Sequence, residues 1–194
     1  MTVTRMMVSV VLLVVVFAVA CGAGSEPDAV VAAEDTAKEV DPLPALLDRP
    51  FTADQIRDEW NEGFELRIRR WTPTAEIFEV WTVVSADADG VDIESKAVDA
   101  TGAPIGEARV QTSTWAQLRD HASFPVDRAT RDSVGRETPL GELQGWLYTV
   151  SDPSGGSVTE FFFAKTLPGA PVFVHVLSDG EVVEIFEQVE RARP

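Results

Sequence analysis

The chain has 194 residues, 32 acidic and 16 basic side chains and a single cysteine, for a formal net charge of −16. That length suits one domain, or one domain with a tail, and so acidic a balance excludes non-specific nucleic-acid binding, which needs a basic surface to meet phosphate. One cysteine cannot close an internal disulfide, and 45% apolar residues are enough to build a core.

Arg5 is the only charge before an apolar or neutral run from Met6 to Ala20. The run falls short of the roughly twenty residues a helix needs to span hydrocarbon. A short basic start, a hydrophobic middle and small residues at its end describe a secretory signal. The segment closes with Ala18-Val19-Ala20-Cys21, followed by Gly22-Ala23-Gly24-Ser25. This resembles the lipobox of bacterial lipoproteins, with Ala18 where leucine is usual. The resemblance implies removal of residues 1–20, acylation of Cys21 and anchorage in a membrane of the cell envelope, with about 0.8 kcal/mol gained per buried methylene. By the same analogy, Gly22 in place of an aspartate implies the outer rather than the inner membrane of a Gram-negative cell. Two alternatives stay open: an ordinary cleaved signal in which Cys21 is incidental, and an uncleaved anchor helix, which lacks the basic flank that stops transfer.

Residues 21–41 carry Glu26, Asp28, Glu34, Asp35, Glu39 and Asp41 against Lys38, with no aromatic residue. Such a stretch reads as a flexible acidic tether, with a short helix around Val30 to Val40 or an acidic recognition tail as alternatives. A single domain is expected over 42–194, opening at Pro42-Leu43-Pro44. Thr52 and Gln55 have capping-box spacing, Phe51 and Ile56 staple spacing, and Trp60 continues the apolar face, so 53–61 is predicted to be a helix that ends before Gly63.

Beyond Gly63 the apolar period changes to two. Phe64 to Arg69 alternates apolar and charged residues. Ala75 to Ser85 places Ile77, Trp81 and Val83 on one face and Phe78, Val80 and Val84 on the other. Asp89-Gly90 signals a hairpin into Val91 to Val98, and Thr101-Gly102 a turn toward Ile105 to Gln111. A second capping box, Thr114 with Gln117, starts a helix whose Trp115, Leu118 and Ala122 share a face and which Phe124-Pro125 stops. After a polar stretch, strands are expected at Ser133–Pro139, Glu142–Val150, Ser157–Lys165, Pro171–Ser178 and Glu181–Val189. The turns between them are short, so neighbours should run antiparallel as a meander.

The expected fold class is therefore mainly β (α+β): one strongly curved antiparallel sheet or half-barrel of about nine strands with two short helices. Val80 to Val84 and Phe161 to Phe163 are apolar on both faces, so helices, another sheet or an enclosed cavity must cover the second face. In layout, 50–190 resembles the half-barrel of the bacterial lipoprotein-localisation factors. That likeness implies a curved sheet holding acyl chains under helices, though fold alone does not fix function.

Chemistry-bearing patterns are sparse. His121 and His175 are far apart and lack the local pairing of a zinc site, so no metal and no other cofactor is expected. His121 suits a helix C-terminus, and His175 an ordinary strand position. No Gly-x-Ser-x-Gly elbow appears, and Glu160, Glu184 and Glu187 read as solvated strand positions rather than a carboxylate pair for glycoside hydrolysis. Asp87-Ala88-Asp89-Gly90 lacks the distal ligands of a calcium loop, and Gly155-Gly156 lacks the lysine of a phosphate loop. No catalytic residue is assigned. Five tryptophans and Phe161-Phe162-Phe163 read first as a large aromatic core. Trp81, Trp146, Phe161 and Phe163 are the candidates to line a pocket for an apolar ligand or a docking patch, with Pro168 to Pro171 as its rim or as a plain turn. The expectation is a non-enzymatic, membrane-anchored envelope binding module for an apolar small molecule or an envelope protein. A structural lipoprotein without a ligand comes second and a hydrolase third.

Overall fold

The computed structural model describes residues 44–194; the signal, Cys21 and the acidic tether lie outside the described residues. Helix α1 (Ala53–Glu59) begins where Thr52 and Gln55 satisfy each other's backbone N–H groups at 2.9 and 3.2 Å. It buries Ile56, and its last hydrogen bond runs from the Trp60 N–H to the Ile56 carbonyl. Helix α2 (Trp115–Asp120) starts on the same device, Thr114 with Gln117, at 2.8 and 3.1 Å. Its Trp115 indole donates to the Asp87 carbonyl at 2.9 Å, which ties the helix to the turn between two strands.

The strands are β1 (Glu65–Thr72), β2 (Ala75–Ala86), β3 (Gly90–Val98), β4 (Arg109–Thr114), β5 (Ala129–Thr138), β6 (Gly141–Ser151), β7 (Ser157–Ala164), β8 (Phe173–Ser178) and β9 (Glu181–Ala192). They form one nine-stranded antiparallel sheet in the order β4-β3-β2-β1-β9-β8-β7-β6-β5. The expected fold class, a curved mainly-β sheet with two short helices, is what the chain adopts. The five strands after α2 form the expected antiparallel meander, β5–β9, and β1–β4 form a second one; the two are joined where β1 pairs β9 from Glu65 opposite Ala192 to Trp71 opposite Ile185. Strands β4 and β5 end on opposite edges, so α2 and residues 121–128 carry the chain across the sheet, and the sheet stays open.

Three strand boundaries also move. Between β3 and β4 the Asp99 carboxylate takes the N–H groups of Thr101 and Ala103 at 2.8 and 3.0 Å. That turn leaves Ile105 half exposed, and β4 starts only at Arg109. β5 starts at Ala129, inside the polar stretch, because Ala129 to Asp132 pair with Val150 to Leu147. β9 runs on to Ala192 because β1 lies beside it.

The helices cover one face of the sheet. Ile56 and Trp60 of the α1 region, Trp115 and Ala122 of the α2 region, Val83 and Val91 from one half of the sheet and Tyr148 and Phe163 from the other share one apolar cluster. Side chains from both halves meet there because the sheet curves around it. Phe124, on the crossing segment, packs on Tyr148 and Phe161 with ring centroids 4.7 and 5.0 Å away. The opposite face of β6–β8 carries a second cluster of Leu147, Phe162, Val172 and Phe173. The both-faces-apolar segment Phe161 to Phe163 is thus covered twice. Val84 is not covered: a register shift after Val83 leaves it exposed.

Candidate functional site

Between the helices and the covered face lies a cavity of about 350 Å³, partly open to solvent. Ligand pockets commonly run from about 300 to about 1,000 Å³. Its apolar side is built by Ile56 and Trp60 from α1 and its cap, Leu118 and Ala122 from the α2 region, and Phe161 and Phe163 from β7. Each arrives by simple periodicity. Ile56 and Trp60 are four apart on a helix face, and Phe161 and Phe163 are two apart on a strand.

The other wall comes from β2, β3 and β4. Trp81 stands opposite Ser95, and Ile93 opposite Gln111, so these side chains and Glu79 and Ser113 line one face. Glu79 is held in place: Oε1 accepts from Arg70 at 2.9 Å and Oε2 accepts from the Trp81 indole at 3.1 Å. Burial works to lower the Arg70 pKa, but its bonds to Glu79 and Glu184 outweigh this and raise it above the usual guanidinium value.

The rim is the turn after β7. Trp60 Nε1 donates to the Pro168 carbonyl at 3.0 Å, and Arg191 donates to the same oxygen at 2.9 Å. Gln188, fully buried, donates from Nε2 to the carbonyls of Ala170 and Pro171 at 3.2 and 2.9 Å. Gly169, Ala170 and Pro171 line the cavity from this turn.

The four residues singled out from the sequence separate. Trp81, Phe161 and Phe163 line the cavity. Trp146 does not; it packs edge-on to Phe51 at 5.9 Å, with the Arg131 guanidinium 4.9 Å and the Lys165 ammonium 5.4 Å from its ring. Glu79, Ser95, Gln111 and Ser113 escaped sequence reasoning. Their signal was the two-residue period of β2 and β3 carried into β4, but the neutral run Gln111-Thr112-Ser113-Thr114 does not advertise a strand.

Other candidates resolve into structure. His121 follows α2 at its C-cap and stands at the cavity, whereas His175 lies on the opposite face, stacked on Phe173 at 4.3 Å. Glu187 is corrected from a solvated position, whereas Glu184 stays 43% exposed. Glu187 pairs with Arg69 at 2.6 Å and is largely buried, and Glu184 shares Arg70 with Glu79. The Asp87 carboxylate accepts from the N–H groups of Asp89 and Gly90, which holds its pKa below the usual value and makes this acidic turn a self-capped hairpin. Tyr148 is pushed up to about 12, chiefly by burial, and its hydroxyl donates to the Asp48 carbonyl. Among the described residues, no group of three or more His, Cys, Asp or Glu side chains is placed to hold a metal ion, and no helix is long and apolar enough to cross a membrane.

An open antiparallel sheet curved around a partly hollow apolar cluster, with two short helices on its covered face, defines a half-barrel fold. No protein-family model and no curated protein matches the sequence. Solved structures do. The chain is similar to MucB (TM-score 0.50, 15% identity) and to MucB in complex with MucA(peri) (TM-score 0.50, 12% identity), in each case over 73% of its length. A complex of MucA and MucB from Pseudomonas aeruginosa aligns at a TM-score of 0.49 and 16% identity, again over 73% of this chain. The alignments span only 56–58% of the MucB chains. At such identities the likeness establishes the fold alone.

Proposed function

We propose that this chain is a non-enzymatic binding module of the bacterial cell envelope that holds an apolar ligand in the cavity between its helices and its sheet. The cavity carries this reading: about 350 Å³ of space remains in the middle of an aromatic cluster, where a chain that served only as a scaffold would pack to native density. Acylated Cys21 and the acidic tether would keep the module close to a membrane, with the outer membrane as its site in a Gram-negative cell. Both follow from the lipobox resemblance.

The test is native mass spectrometry of residues 42–194 produced without the signal. A stoichiometric co-purified lipid or other apolar mass supports the reading. A folded protein that is clean, and that takes up no apolar probe offered to it, overturns it.

A protein partner is the second reading, favoured by the complex of MucB with MucA(peri), a protein of the same fold bound to another polypeptide. In-cell crosslinking separates the two. One specific adduct on a ligand-free module favours the partner, and a lipid-loaded module without such an adduct favours the ligand.

A further inference from the structure

We infer that the cavity selects an amphiphile whose polar end carries hydrogen-bond donors and no negative charge, and that Glu79 reads that end. The inference deepens the ligand reading above and rests on it.

The two sides of the cavity differ in kind. Trp60, Phe161 and Phe163 offer a dry surface, while Glu79, Ser95, Gln111 and Ser113 offer oxygen and amide atoms. Ser113 is almost fully buried, and the Gln111 amide donates to its hydroxyl at 3.5 Å. A wholly apolar ligand would strip water from these groups without replacing its hydrogen bonds. An amphiphile laid with its tail on the rings and its head on this wall would not.

The sign of the head follows from the charges. Arg70 donates to Glu79 and also to Glu184, at 2.9 and 3.4 Å, so two carboxylates share one guanidinium and one negative charge is left over. No lysine or arginine of the described residues lines the cavity, and the chain as a whole carries −16. Each carboxylate oxygen accepts more than one hydrogen bond, so Glu79 keeps acceptor capacity beyond its bonds to Arg70 and Trp81. The Glu79 side chain is 20% exposed, so its charge at the cavity is weakly screened, and that of Glu184, 43% exposed and outside the lining, is screened more. A hydroxyl, amide or ammonium head meets acceptors there; a carboxylate or phosphate head meets a like charge.

The experiment uses the full chain carrying Cys21→Ser, with neutral phenylnaphthylamine as a fluorescent probe of the cavity. Decanol, decylamine and decanoate, matched in chain length, compete against it at about pH 8, above the histidine range. Decanol and decylamine are expected to displace the probe at about tenfold lower concentration than decanoate, a difference of about 1.4 kcal/mol. Glu79→Gln, with an unchanged circular dichroism spectrum, should shrink that gap to about twofold. Equal displacement by decanoate overturns the headgroup inference and leaves the cavity reading standing, as does a gap that survives in a folded Glu79→Gln protein. If neither the probe nor any competitor binds, both fall. The ranking on the Glu79 protein is decisive by itself should the variant fail to fold.

Discussion

The indole nitrogen of Trp60 donates to the Pro168 carbonyl oxygen at 3.0 Å, joining the end of α1 to a turn 108 residues further along the chain. The same oxygen accepts from Arg191, near the end of β9, so one carbonyl gathers three distant parts of the fold at the rim of the cavity. Rim and helix position are therefore one structural unit, and substitutions there should affect stability and ligand entry together.

Gly169 shows how tight that junction is. Its φ is +113°, and a Cβ there would lie 2.3 Å from the Trp60 indole nitrogen. Gly169→Ala must strain the backbone, at about 1–3 kcal/mol, and push the indole off the Pro168 carbonyl as well. The urea midpoint should fall without a change in slope. An unchanged midpoint would falsify the junction.

Glu59 permits a comparison of buried and exposed ion pairs on one carboxylate. Arg191 reaches it at 3.0 Å with side chains 7% and 11% exposed, and Arg193 at 2.7 Å with its own side chain 65% exposed. Burial pulls the Arg191 pKa down while Glu59 pulls it up, and burial prevails. Glu59→Ala strands a buried guanidinium and should cost about 3–5 kcal/mol. Arg193→Ala should cost less than about 1 kcal/mol. Chemical denaturation of the two variants side by side tests the ordering, and equal losses refute it.

His175 makes stability depend on pH. Burial against Phe173 lowers its pKa below the ordinary 6.5, although Glu187 and Glu160 act the other way. The unfolded chain takes up this proton at higher pH than the folded one, so between the two values the unfolded state binds more protons. The stabilisation is complete above pH 6.5 and declines as pH falls through that value toward the folded pKa. His175→Phe should flatten the decline. Melting temperatures of both proteins from about pH 8 to about pH 5, above the carboxylate range, decide the matter; parallel curves rule it out.

Much of this fold is legible in the sequence where local chemistry acts alone. Thr52 with Gln55 and Thr114 with Gln117 announce both helices because a capping box needs only four residues. Asp89-Gly90 and Gly155-Gly156 announce hairpins for the same reason. The β1–β9 pairing was not legible, since nothing local in Glu65–Thr72 says that its second neighbour lies at the far end of the chain; burial on both sides decides it. In the cavity, Trp81, Phe161 and Phe163 are readable from strand period and size. Trp146 obeys the same rules and lies elsewhere, because the row of side chains it joins leads to Phe51, Arg131 and Lys165. Glu79, tethered by Arg70 across a strand pair, needed the register to be found.

The proposed acylation at Cys21 predicts where the protein resides. On that proposal Cys21→Ser would remove the acyl chains, and the tether has no other long apolar run to replace them. The protein should move from the membrane fraction to the soluble envelope fraction, or remain as an unprocessed precursor that has kept residues 1–20. Fractionation combined with intact mass separates these outcomes from the third: a processed variant as membrane-bound as before, which would exclude lipid anchorage at Cys21.

Two tryptophans supply the control for the cavity itself. Trp81 lines it and fixes Glu79 through its indole N–H. Trp146 packs on Phe51 beyond it. Trp81→Leu removes aromatic contact from the ligand and frees Glu79 to turn, so affinity for an apolar probe should fall about tenfold, or about 1.4 kcal/mol. Trp146→Leu should lower stability by about 1–3 kcal/mol, through lost packing, and leave affinity within about twofold. Titrating the probe into each variant, well below its melting temperature, distinguishes a lining residue from a core residue. Equal losses of affinity would mean that the probe reports on general loosening of the aromatic cluster and not on this cavity.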